Sequence, residues 1–576
     1  MKDLDYNILK NYLSVIYKKK DSKEINELCE KIVEIFSISK IDRSNNELWN
    51  EKDCFLITYA DSIKKIGKTN LKTLNIFLNR YCKEFSFIHI LPFYPYSSDD
   101  GFAVVDYENV NQEHGNWEDF KKISSNYKVM SDLVINHCSS ENILFKNFLN
   151  KTDPGSDYFI VSKKNFESFK KVIRPRSSKI SKKVKIKNKD YFVWCTFSHD
   201  QIDFDFKNPK VLMYFLKIIK LYLDNGTKAL RLDAVAFLWK EIGTKCINLP
   251  QTHLIIRLIR LLIEAYTKRC LIITETNIPN HENLSYFGNN NEAHCIYNFS
   301  LAPLLIHSII SGNSSYLKQW SRSMPPAQAG NAYLNFLSTH DGIGLRPLEG
   351  ILPEKELEKF INVLSKSGAF LTHRISQKKK TVYEVNITLL DSFKETFRGK
   401  DNFRIKRFIL AHQILLTMEG IPAIYIQNLV GSENDYSKVK KTKIYRSINR
   451  RNWDLDQIDK LLKNHQSINT KVYSSIINLI KLRKKQPAFH PNATQFTLQL
   501  EDHFFGIWRQ SIDRSQSIFC ISNLTKFRQK LSLLDVNLIA MEKWYDILSK
   551  SILKNLSGSI TLAPYQSVWI TNKRFF

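Results

Sequence analysis

The chain has no apolar run long enough to span a membrane. Its most apolar stretch, Leu254 to Ile263, is broken by Arg257 and Arg260. With His253 and Glu264 these residues step by four, three and four, the spacing of a solvent stripe on an amphipathic helix. Met1-Lys-Asp-Leu-Asp-Tyr6 lacks the long apolar core and small-residue cleavage site of a secretory leader. Nine cysteines, an odd number with no Cys-x-x-Cys pair, argue against a disulfide framework or a zinc site. Gly67-Lys-Thr69 is not a phosphate-binding loop, because Ser62 stands where the earlier glycine is required. There is no zinc-finger spacing, Gly-x-x-Gly loop, aromatic RNA-binding signature or internal repeat. These absences lead to the expectation of a cytoplasmic protein with no membrane or nucleic-acid partner and no cofactor.

The 576 residues, 43% hydrophobic and 12% aromatic, describe a globular chain with room for two or more domains. The net charge of +28 comes from 85 basic and 57 acidic residues. Its lysines fall in short runs such as Lys18-Lys19-Lys20, Lys182-Lys183 and Lys378-Lys379-Lys380. We read them as a solvated surface, a polyanion partner being the alternative.

Apolar runs recur along the chain: Cys54 to Tyr59, Phe85 to Leu91, Val129 to Ile135, Ala229 to Leu232, Cys270 to Thr274, His294 to Asn298, Tyr333 to Leu337 and Ala423 to Gln427. Helical patterns separate most of them, as over Val211 to Leu223 and Thr252 to Tyr266. Strands alternating with helices make a parallel sheet, and eight units over roughly 400 residues fit a (β/α)8 barrel. The expected division is a helical extension over 1–50, a barrel over 51–490 and an antiparallel β-domain over 491–576. Two connections are too long for a simple βα link and are expected to form inserts: 138–207 after the third strand and 342–400 after the seventh.

In such a barrel the site is built where strands end. The third strand offers Asp132 and Asn136-His137, the fourth Arg231 and Asp233, the fifth Glu275, the seventh His340-Asp341. Arg231 lies on the same strand face as position 233, so its guanidinium can hold that carboxylate ionised and aimed. Taken alone, the pair also fits a structural ion pair. Three carboxylates and two histidines at one mouth are the equipment for cleaving a glycosidic bond, by attack on the anomeric carbon, proton donation and stabilisation of an oxocarbenium-like state. A metal would use the same residue types, but no His-Glu-x-x-His or Asp-x-Asp spacing accompanies them, and no metal is expected.

The motifs Asp132-Leu-Val-Ile-Asn-His137, Leu230-Arg-Leu-Asp-Ala234, Ile273-Thr-Glu-Thr276 and Ser338-Thr-His-Asp341 resemble the four ordered motifs of the α-amylase superfamily, glycoside hydrolase family 13. Tyr96-Ser-Ser-Asp-Asp-Gly-Phe102, Trp239-Lys-Glu241, Ser285-Tyr-Phe-Gly288 and His340-Asp-Gly-Ile-Gly-Leu-Arg346 resemble its sucrose phosphorylase subfamily. The N-terminal extension and the Glu-Thr-Asn variant at 275–277 are most similar to the glucosylglycerate phosphorylase branch. The resemblance implies Asp233 as nucleophile, Glu275 as general acid/base and Asp341 as transition-state stabiliser. It implies that Asp99, His137, Arg231, His340 and Arg446 hold a glucosyl unit, with Arg176 and Tyr383 on the acceptor side near phosphate. Arg346 is a further cation for an anionic partner. The implied substrates are an α-glucoside and inorganic phosphate; sucrose phosphorolysis, hydrolysis and transglucosylation are the alternatives. The sequence departs from the family over 177–181 and 438–444, and at Ser131 where a bulky apolar residue is usual. These departures leave the carboxylate trio in place and bear on acceptor preference.

Overall fold

The computed structural model describes residues 5–36, 47–166, 171–174, 178–267, 269–376, 379–539 and 541–573. Its centre is a closed barrel of eight parallel strands: β1 Phe55–Thr58, β2 Phe87–Ile90, β3 Lys128–Leu133, β4 Thr227–Leu232, β5 Leu271–Thr274, β6 Cys295–Tyr297, β7 Ala332–Phe336 and β8 Ile421–Tyr425. They follow one another around the barrel in chain order, and β1 closes on β8. β1, β2 and β5 to β8 are buried at every position. Burial on both faces is why these segments read as unbroken apolar runs instead of alternating ones. All eight runs expected from the sequence are barrel strands.

Helices cover the outside. Pro209–Asp224 starts with proline at its first turn, where a missing N–H costs nothing, and Asn208 caps it by accepting from the Lys210 amide. Pro250–Tyr266 carries the polar stripe expected to face solvent; Arg257 and Glu264 are partly open to it, but Arg260 is buried and the stripe is ion-paired. Glu292 receives His253 Nδ1 at 2.7 Å and Arg257 Nη2 at 2.8 Å, while Arg260, 6% exposed, binds Glu264 at 2.7 Å. The stripe is an ion-paired seam beneath the segment leading into β6. Helical periodicity reports a polar face but not what covers it.

The N-terminal helices Tyr6–Ile16 and Ser22–Phe36 lie against Pro250–Tyr266 and Pro209–Asp224 respectively. Leu9, Leu13, Cys29, Ile32 and Phe36 are fully buried there and join the main core.

After β3 the chain forms a lobe with the antiparallel sheet Val161–Ser162, Lys189–Trp194 and Ser181–Ile186. The short strands His137–Ser139 and Gln201–Asp203 pair at its base, so the lobe leaves and re-enters the barrel through one ladder. After β7 come the helix Glu354–Lys366 and the hairpin Phe370–Ser376/Lys379–Asn386, whose second strand also pairs with Ile343–Gly344. Beyond helix Ile468–Arg483, six antiparallel strands form a C-terminal sheet around Phe504, Phe519, Trp544 and Ile570. No helix among the described residues is long and apolar enough to cross a membrane.

Candidate active site

Asp233 is the residue immediately after β4, and Glu275 the residue immediately after β5. Asp341 lies five residues past the end of β7 at Phe336. Together with Asp99, His137, His340, Tyr383 and Arg446 they line one cleft with an empty volume of about 680 Å³. Eight of the eleven residues expected at the site therefore meet there. Arg231 lies just beneath, sharing a smaller cavity with Glu275, His340 and Asp341. Arg346 is not among the lining residues: it opens the short 3-10 turn Arg346–Leu348 and is 8% exposed. Its Nε has no hydrogen-bond partner, and no carboxylate pairs with it among the described residues. Arg176 lies outside the described residues.

Parallel register sets the electrostatics. β3 and β4 place Asp132 beside Arg231. Arg231 Nη1 contacts Asp132 and, at 2.8 Å, Asp233 Oδ1; Nη2 is 3.8 Å from Glu275 Oε2. Asp132, grouped by sequence with the strand-end residues, is fully buried below the mouth, where it also receives His89 Nε2 at 2.7 Å. Burial opposes its ionisation, but Arg231 and then His89 hold it below the usual carboxylate range. Its role is to anchor the arginine.

Burial, followed by the repulsion of neighbouring carboxylates, raises Asp233 and Glu275 against the pull of Arg231. Carboxylates this close share protons as a unit. Arg231 lies 2.8 Å from Asp233 and 3.8 Å from Glu275, yet its pull falls short of burial at both, and Asp233 is pushed up to about 8. Asp341 has the opposite environment. Burial again opposes ionisation, but Arg446 at 2.5 Å and Arg450 at 3.6 Å keep it charged. His340, its ring stacked on Phe102 at 4.9 Å, is pushed by burial down to about 3 and stays neutral.

His137 points its Nε2 to the Phe102 carbonyl at 3.0 Å and lies 3.1 Å from Gln201 Nε2. The next residue back, Asn136, accepts Lys240 Nζ at 2.7 Å. Lys240, 7% exposed, also meets the fully buried Asp203 at 2.7 Å. One ammonium thus fastens the end of β3, the β4 loop and the lobe's returning strand.

Sequence reasoning missed Phe197 and Gln201 from the lobe, Ala236, Phe237 and Asn277 from the strand loops, and the ion partners Asp100, Glu384 and Arg450, of which the last two are buried. Aromatic and amide residues in loops carry no periodic signal, and ion partners hundreds of residues apart carry none at all.

Residues 80–342 match the family model for the α-amylase catalytic domain. A protein of Spirochaeta thermophila named glucosylglycerate phosphorylase is 35% identical, with 91% of this chain and 90% of the relative aligned. An Escherichia coli protein of the same name is 37% identical over 92% of this chain and 94% of the relative. Among solved structures, sucrose 6F-phosphate phosphorylase from Thermoanaerobacter thermosaccharolyticum superposes with a TM-score of 0.72 at 27% identity, covering 82% of this chain and 94% of that one.

Proposed function

We propose, from the premise that this chain belongs to the sucrose phosphorylase subfamily of the α-amylase superfamily and to its glucosylglycerate phosphorylase branch, that it is a retaining glycoside phosphorylase acting on 2-O-α-glucosylglycerate. The observation that carries this is the near full-length similarity, at 35% and 37% identity, to two proteins named for that activity. The cleft supports it with three carboxylates gathered past the ends of three strands, two raised by burial and the third held charged by arginine.

Asp233 attacks the anomeric carbon as Glu275 protonates the leaving oxygen, giving a covalent β-glucosyl-enzyme and free glycerate. Phosphate then attacks from the face the aglycone left, Glu275 takes its proton, and α-glucose 1-phosphate departs. Two inversions give net retention. Asp341, kept anionic, stabilises the oxocarbenium-like state in both steps. Asp99, His137, His340 and Arg446 hold the glucosyl unit, with Arg231 beneath it. Tyr383 lies on the acceptor side, with Arg346 and Arg176 as cations for phosphate and the glycerate carboxylate. We assign the protein to the cytoplasm, in keeping with nine buried free cysteines.

The test is incubation of the purified chain with inorganic phosphate and 2-O-α-glucosylglycerate, sucrose or sucrose 6-phosphate in parallel. Phosphate-dependent release of glucose 1-phosphate, fastest from glucosylglycerate, is the expected result. Faster release from sucrose makes the chain a sucrose phosphorylase, and release of free glucose regardless of phosphate makes it a hydrolase.

A further inference from the structure

Asp341 lies between two arginines, and each arginine is held on its far side by a second carboxylate. Arg446 Nη1 is 2.5 Å from Asp341 Oδ1, while its Nη2 and Nε reach the two oxygens of Glu384 at 3.0 and 3.2 Å. Arg450 Nη2 is 3.6 Å from the same Asp341 oxygen. Its Nη1 meets Asp100 at 2.6 Å and its Nε donates to the His340 carbonyl at 2.8 Å. The five side chains form a line of alternating charge, Glu384–Arg446–Asp341–Arg450–Asp100.

The outer carboxylates come from remote segments. Asp100 belongs to the turn after β2, where its backbone is left-handed with φ of 48°. Arg450 helps to hold its carboxyl ionised against the effect of burial. Glu384 belongs to the hairpin inserted after β7, is 2% exposed, and accepts the Gly342 amide at 2.8 Å. Gly342 directly follows Asp341, so Glu384 holds the acid's backbone as well as its arginine. The fit there is close, since a Cβ added at Gly342 would lie 2.6 Å from Glu384 Cγ.

A guanidinium offers its donors in a rigid planar fork, and a lone carboxylate beside it is gripped through both oxygens. Such a grip on Asp341 would cover the charge a glycosyl cation needs. Here Glu384 takes the Nε side of Arg446, and the His340 carbonyl and Asp100 take two donors of Arg450. The closest arginine contacts with Asp341 all fall on Oδ1. The contacts to Oδ1 are ionic: neither Asp341 oxygen accepts a hydrogen bond of good geometry among the described residues, and the side chain remains 27% exposed at the cleft it lines.

We propose that Glu384 and Asp100 are positioning residues for glucosyl transfer: each occupies part of an arginine so that Asp341 keeps one oxygen and its charge for the transition state. The inference rests on the assignment of Asp341 as stabiliser. It extends the active machinery to the inserted hairpin and to the turn after β2.

The experiment uses the full chain with α-glucosyl fluoride and phosphate, followed by fluoride release. This donor has no aglycone to recognise, so acceptor preference does not enter. Glu384→Gln and Asp100→Asn keep side-chain shape and remove charge. Each is expected to lower kcat about ten- to a hundredfold, as misplacement of a catalytic group does, with donor KM changed by less than about threefold. The double variant falls further, and Glu384→Asp, which keeps the charge, recovers part of the loss. Wild-type kcat in both charge-removing variants, or a loss confined to KM, overturns the inference. So does full activity in Glu384→Gln with none in Glu384→Asp, since shape and not charge would then matter. A wild-type chain that releases no fluoride refutes the glucosyl-transfer reading and the inference with it. Variants that match an active wild type refute the inference alone.

Discussion

The backbone N–H of Ala234 donates to Glu275 Oε2 at 3.0 Å. Ala234 directly follows Asp233 and sits in the left-handed region with φ of 48° and ψ of 30°. An alanine there carries strain of about 1–2 kcal/mol, which persists because the surrounding barrel fixes the turn. The turn ties the proposed nucleophile to the proposed acid through one peptide, so that their spacing follows from β4–β5 register and not from flexible side chains.

The two roles are separable by exogenous azide. With α-glucosyl fluoride, Asp233→Gly leaves azide to attack directly from the β face, and β-glucosyl azide is the expected product. In Glu275→Ala the glucosyl-enzyme still forms, because fluoride needs little protonation, and azide then gives α-glucosyl azide. The anomeric configuration by NMR decides. The same anomer from both variants refutes the assignment.

The raised titration of Glu275 has a sign that can be checked in activity. Its proton is required for aglycone departure, so kcat/KM for glucosylglycerate falls as pH rises through the pair's apparent pKa. Burial and carboxylate neighbours set that pKa above the ordinary carboxylate range. The basic limb belongs above the range of an ordinary carboxylate, and it disappears for α-glucosyl fluoride. A limb near pH 4–5, the range of an unperturbed glutamate, contradicts the electrostatic picture.

The same shift bears on stability. A carboxyl whose folded pKa is raised binds more protons when folded than when unfolded, so its contribution worsens as pH rises from the unfolded value through the folded one. Glu275→Gln removes that penalty and keeps an oxygen for the Ala234 amide. Its Tm at pH 7 is expected about 1–2 °C above wild type, with the difference closing near pH 4. A lower Tm than wild type at pH 7 contradicts it.

Lys240 is expected to be structural. Asp203 is fully buried and receives Lys240 Nζ at 2.7 Å, Thr196 Oγ1 at 2.6 Å and Asn136 Nδ2 at 3.1 Å. Lys240→Met strands that carboxylate and is expected to destabilise the chain by about 3–5 kcal/mol. Because the bond fastens the lobe, hydrogen exchange should rise first across 137–139 and 201–203. Adding Asp203→Leu removes the stranded charge and recovers part of the Tm; no recovery in the double variant refutes the charge argument.

Arg346 gives the opposite expectation. A buried guanidinium without a carboxylate partner does not stabilise a fold. Arg346→Gln is therefore expected to leave Tm unchanged or higher. If the group meets an anionic acceptor or phosphate, the KM for that partner rises about tenfold, equivalent to ~1.4 kcal/mol. A drop in Tm with unchanged KM values assigns Arg346 to the fold.

The sequence by itself determined the barrel. Strands buried on both faces must be written as short apolar runs, and eight of them spaced by helices leave few architectures. It also located the carboxylates, because a charge at the end of such a run is visible against its apolar background. Asp233 and Glu275 each stand immediately after four or more buried residues. What only the tertiary structure decided was which charges meet. Asp132 and Arg231 are 99 residues apart, and Asp100 and Arg450 are 350 apart. Local spacing encodes neither pair, because barrel register and loop closure create them. The structure likewise ion-paired the expected solvent stripe of Pro250–Tyr266, burying Arg260, and left Arg346 out of the cleft lining. Periodicity fixes which side of an element a residue faces; the neighbour on that side is supplied by closure of the whole chain.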